Sequence, residues 1–129
     1  MNGPHERWIE KAEDDLRFAR VGLKESFLNQ VCFLAQQAVE KSLKALLISK
    51  GEVYPKTHKL IDLAEACQKY EKGLERFRKE FRVLDEFYIP TRYPDAVPGS
   101  VKGYMPTKKQ AEEALGIAEK ILSFVKERI

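Results

Sequence analysis

Residues 33–48 read Phe-Leu-Ala-Gln-Gln-Ala-Val-Glu-Lys-Ser-Leu-Lys-Ala-Leu-Leu-Ile, and this stretch decides the fold. Its apolar residues recur at helical spacing, but they cover more than one stripe. A helix that is apolar around so much of its circumference needs neighbours on several sides, which places it at the centre of a bundle. The helix predicted here spans about Phe27 to Lys50. Gly51, next in the chain, suits the left-handed conformation that ends a helix, because it has no Cβ to clash.

The pattern continues on both sides. Upstream, Trp8, Ala12, Leu16, Ala19 and Leu23 recur every three or four residues with charges between them. That spacing predicts an amphipathic helix from about residue 5 to residue 24. Gly22 costs about 1 kcal/mol relative to Ala there, so the end of this helix is expected to loosen. Downstream, a proline-containing loop leads to Thr57, the expected N-cap of a third helix carrying Leu60, Ile61, Leu63, Ala64 and Cys67. Gly73 is expected to separate it from a fourth, in which Leu74, Phe77, Phe81, Leu84 and Tyr88 repeat. From Ile89 to Pro106, four prolines and two glycines exclude a helix and predict a long loop. Thr107-Lys-Lys-Gln110 fits a capping box and opens the last helix, which carries Ala111, Ala114, Leu115, Ala118, Ile121, Leu122 and Val125. No segment alternates with period two. The expected fold is all-α: a single domain, residues 1–129, of about five helices in an up-and-down bundle, with a long Pro/Gly-rich loop before the last helix.

Composition limits the function. The 129 residues carry 23 basic and 20 acidic side chains, a net charge of +3. That permits a local anion site but is too mild for a protein that coats nucleic acid. Cys32 and Cys67 both lie in apolar helical stretches and read as reduced core thiols. Two cysteines and two histidines, far apart, give no zinc spacing, so neither metal nor cofactor is expected. The N-terminus has no signal-peptide character, and no apolar run approaches ~18 residues, so the expected compartment is the cytoplasm, with no membrane partner. G-x-x-x-x-G-K-[ST], G-x-G-x-x-G and H-E-x-x-H motifs are absent, so ATP hydrolysis of the P-loop kind and zinc proteolysis have no support.

The long loop holds the densest polar and aromatic set. Residues 89–109 contain four basic residues, Arg92, Lys102, Lys108 and Lys109, against one acidic, Asp95. Arg92 offers a planar fork of donors suited to phosphate. Tyr88, Tyr93 and Tyr104 can stack on a base, and the following helix N-terminus favours an anion. The alternative is that Arg92 and Asp95 bridge locally while the tyrosines pin the loop to the bundle. Gln37, Lys41 and Lys44 lie on neighbouring turns of the second helix and can reach a cleft facing the loop, although Lys44 reads as a solvated charge. Glu40 and Lys44 stand in the favourable order for an i,i+4 ion pair. His58 is a candidate base, but no acid or nucleophile is close in sequence, and its first reading is a local hydrogen bond.

Ala35 to Leu47, followed by Gly51, by Thr57-His58-Lys59-Leu60 and by Thr91-Arg92-Tyr93-Pro94-Asp95, resembles a HEPN domain over nearly the whole chain. The resemblance implies a helical up-and-down bundle that dimerises around a cleft and binds nucleotide or RNA. It also implies work beside a minimal nucleotidyltransferase in a toxin–antitoxin-like pair. Many HEPN members are metal-independent RNases with an arginine followed four to six residues later by a histidine. Here Arg92 is followed by Tyr93 through Gly99 with no histidine. The expectation is therefore a binding and interaction module. Arg92 would contact phosphate, Tyr93 would stack or fix the loop, and Asp95 would orient Arg92 or meet a ribose. The alternatives are an endoribonuclease with an atypical base and a purely structural oligomerisation domain.

Overall fold

The computed structural model describes residues 3–88 and 105–129. Among these residues the chain forms α1 (Pro4–Lys24), α2 (Leu28–Ser49), α3 (Leu60–Cys67), a 3-10 helix (Lys72–Phe77), α4 (Arg78–Asp85) and α5 (Lys108–Lys126). No strand occurs among them. The fold is an all-α bundle, as the periodicity predicts.

Helix α2 is the hub. It packs most extensively on α1, then on α5, and also touches α3 and α4. Val31, Cys32, Ala35, Ala38, Val39, Leu43 and Leu47 on it are fully buried. Ion pairs give the directions. Lys41 on α2 meets Asp15 on α1, and Lys44 lies over the Trp8 ring, so residue numbers rise on α2 as they fall on α1. Arg20–Glu119 and Lys126–Glu13 set α5 antiparallel to α1 in the same way. Asp85 reaches Leu60 while Glu75 reaches Gln68, so α3 and the segment after it form an antiparallel hairpin.

Several local expectations hold. Gly51 has φ +79°. Its N–H donates to the Ile48 carbonyl at 2.9 Å, and the Glu52 N–H to that of Leu47 at 3.0 Å, which closes a Schellman motif on α2. The capping box at Thr107 is complete: the Gln110 N–H donates to Thr107 Oγ1 at 3.1 Å, and the Thr107 N–H to Gln110 Oε1 at 2.8 Å.

Four expectations are corrected. Helix α1 does not loosen at Gly22. That residue is buried where α1 meets α2, and a Cβ there would sit 3.2 Å from Val31 Cγ2. Thr57 does not cap α3. The helix starts later, with Lys59 at the N-cap, and Thr57 Oγ1 instead accepts from the Lys59 N–H at 3.1 Å and donates to Asp62 at 3.1 Å. Gly73 does not separate two helices. It lies within the 3-10 helix, where a Cβ would stand 2.8 Å from Phe124 Cζ, so the close approach of α5 is what requires glycine. The fourth helix also breaks into that 3-10 turn and the short α4 rather than running on to Tyr88.

Candidate functional site

The polar face of α2 folds into a network rather than a solvated stripe. Gln36 is fully buried, and its Nε2 donates to the His58 carbonyl at 2.9 Å and reaches Asp85 Oδ1 at 3.5 Å. Gln37 Nε2 donates to Gln36 Oε1 at 2.8 Å and to Glu40 Oε1 at 3.3 Å. Glu40 is 4% exposed. Its carboxylate accepts from Lys44 Nζ at 2.8 Å and lies 3.2 Å from His58 Nδ1. The loop before α3 thus hangs from α2 by the His58 backbone and by the His58 ring.

A carboxylate only accepts, so Nδ1 carries the proton in this contact and the lone pair of a neutral ring lies on Nε2. The His58 side chain is 61% exposed although its partner is buried. Its ring stacks on Tyr88, with centroids 5.3 Å apart and planes at 14°. Tyr88 also packs on Phe33 of α2 at 6.0 Å. A histidine oriented by a buried carboxylate and facing solvent has the geometry of a general base or of a recognition group.

Asp85 closes the network. Both its oxygens accept from the start of α3, from the Leu60 N–H at 2.8 Å and the Ile61 N–H at 3.3 Å. Burial pushes its carboxyl above the ordinary carboxylate range, and these two N–H groups and Gln36 only partly offset that. Beside it an open groove of about 750 Å³ runs between the start of α3 and the end of α4, with His58, Ile61, Arg82 and Tyr88 among its walls.

The residues singled out in the sequence fare differently. Arg92, Tyr93, Asp95 and Tyr104 lie outside the described residues, as do most of the predicted loop and Lys102. Tyr88 and Gln37 join the His58 cluster. Lys41 turns to α1 instead and meets Asp15 at 2.6 Å. Lys44 is not a solvated charge, being 7% exposed beneath Tyr54 and Trp8, whose ring centroids lie 4.9 and 5.6 Å from its Nζ. Those rings close over it because the loop after α2 returns across the start of α1. An acid does serve His58, from 18 residues away. Sequence reasoning missed Gln36, Glu40 and Asp85 as site residues. The available signal was a Gln-Gln-x-x-Glu face on a helix that is otherwise apolar. Among the described residues no cluster of three or more metal-ligating side chains occurs, and no helix is long and apolar enough to cross a membrane.

A helical bundle is the architecture expected from the resemblance, and the HEPN domain model matches residues 5–128. The chain belongs to the HEPN domain family. It is similar to TT1696 from Thermus thermophilus, with 38% identity, a TM-score of 0.85, and 97% of this chain and 98% of that one covered. It is also similar to ST0689, described as an archaeal HEPN homologue, at 31% identity and a TM-score of 0.76, with 98% of each chain covered. Among curated proteins it is 32% identical to "Putative toxin MJ1304" of Methanocaldococcus jannaschii, over 93% of this chain and 84% of that protein.

Proposed function

We propose that this protein is a HEPN-type module that binds a nucleotide or RNA, acts as a homodimer, and works with a minimal nucleotidyltransferase in a toxin–antitoxin-like pair. The observation that carries this reading is the His58–Tyr88 stack, anchored by buried Glu40 at the edge of an open groove. Family membership and the relative named as a toxin support the paired arrangement. In this reading Arg92, four residues beyond Tyr88, contacts phosphate. Tyr93 and Tyr104 add stacking, and Asp95 orients Arg92.

A thermal-shift screen of nucleotides and short RNAs tests it, with Arg92→Ala as control. Ligand at about 100 times its dissociation constant stabilises a fold by about 2.7 kcal/mol, a readily visible shift in a domain of this size. A shift lost in Arg92→Ala supports the site. If no nucleotide, RNA or nucleotidyltransferase affinity changes in that variant, the assignment fails. Sedimentation of the free protein, and its co-purification with a co-expressed nucleotidyltransferase, test dimer and partner.

A second reading is a metal-independent endoribonuclease. The specific support is the Glu40–His58 contact, which supplies an oriented base where the segment after Arg92 has none. His58 would take the 2′-hydroxyl proton and Arg92 would steady the phosphate. RNA cleavage in EDTA, abolished by both His58→Ala and Arg92→Ala, is the required result.

A further inference from the structure

We propose that the groove between α3 and α4 seats the base of a nucleotide and leaves its phosphates outside. The inference rests on the nucleotide-binding reading above and assigns which half of the ligand goes where.

The volume, about 750 Å³, is in the range of small-ligand sites. Its character is aromatic and apolar on the His58–Tyr88 side, continued by Ile61. Every nucleobase offers a π-face to such a surface. The charges point the same way. Lys59 and Arg82 on the groove are answered by Asp62, Asp85 and Glu86, a balance that does not draw in a polyanion.

The decisive feature is the start of α3. A helix N-terminus ordinarily provides unpaired N–H groups for phosphate. Here the Leu60 and Ile61 N–H groups already donate to Asp85, whose carboxylate occupies the place a phosphate would take. What the groove retains is a stacking wall, with Glu86 near it to accept from a ring N–H or exocyclic amine. A planar, uncharged heterocycle satisfies these groups, and a phosphate does not.

The test is titration of the full chain with adenosine, AMP and ribose 5-phosphate, followed by calorimetry and by the His58 ring-proton resonances. AMP should bind at least as tightly as adenosine, since Arg92 meets its phosphate outside the groove, and both should shift those resonances, while ribose 5-phosphate should compete far more weakly than adenosine. His58→Ala should weaken both ligands about tenfold or more, the scale of one lost base stack. His58→Phe, which keeps a ring and loses the imidazole, should restore binding. Ribose 5-phosphate competing as well as AMP, or adenosine affinity unchanged in His58→Ala, would overturn the base seat and leave nucleotide binding intact. Groove resonances that respond only to a nucleotidyltransferase would make it a protein contact and overturn the proposal. Failure of adenosine, AMP and short RNA alike to bind would bring down both this proposal and the reading beneath it.

Discussion

Asp85, the last residue of α4, caps α3 from outside: its carboxylate accepts from the Leu60 N–H at 2.8 Å and from the Ile61 N–H at 3.3 Å. Helix α3 has only eight residues and no side-chain cap of its own, so its start depends on a residue 25 positions away. Asp85→Ala should cost about 1–3 kcal/mol, the value of a lost cap with buried donors left unpaired. Urea unfolding would measure the loss. Hydrogen exchange at the Leu60 and Ile61 amides should lose protection more than the rest of the bundle.

The same carboxyl gives a pH signature. Its folded pKa is raised above the ordinary 3.8, with burial as the main cause, so between the unfolded and folded values the folded state holds a proton that the unfolded state has released. Stability from this group is therefore fully present below its unfolded pKa and is lost as pH rises from there through the folded value. Asp85→Asn has no such titration. The stability gap between wild type and Asp85→Asn should be larger near pH 4 than at pH 7. A gap that grows with pH would contradict this sign.

Glu40 and Lys44 form a pair with side chains 5% and 9% exposed. Removing one partner from a buried pair strands the other charge, and Glu40→Gln should cost about 3–5 kcal/mol. Lys44→Met should be similarly harmful. The double variant Glu40→Gln/Lys44→Met should recover most of the loss, because it leaves no uncompensated charge. Chemical denaturation of the three variants checks the cycle.

Cys32 and Cys67 are free, and burial pushes both thiols up to about 12. The thiolate is the reactive form, so neither should alkylate at pH 8 in the folded protein. Two thiols per chain should react in guanidinium. Native labelling, where seen, should follow the rate at which the core opens.

Gly73 faces the Phe124 ring, which is itself flanked by Arg76 and Arg128 at 4.7 and 3.5 Å from its centroid. Gly73→Ala should destabilise by about 1–3 kcal/mol through overpacking, despite alanine being the better helix former. A melting temperature equal to or above wild type would show that Phe124 can give way.

The legible part of this protein was the part written in local periodicity. The stripes of α1, α2 and α5, the Schellman end at Gly51 and the box at Thr107–Gln110 all depend on residues within a few positions of one another. Where competing turns were possible the local reading slipped, as at Thr57, whose hydroxyl bonds two residues on rather than capping a helix.

The site was hidden because its bonds join distant positions. Gln36 and Asp85 are 49 residues apart, and Glu40 and His58 are 18 apart. No spacing rule links such pairs. By itself the sequence determined α1, α2, α5 and the central place of α2, because backbone hydrogen bonding and apolar periodicity are local and repeat, while the family was legible only through the resemblance of its motifs. Only the tertiary structure decided that Lys44 is buried, that Glu40 serves His58 and that Asp85 occupies the α3 N-terminus. Those outcomes depend on which polar groups the packing of separate helices shuts away from water, where each must then find its partner.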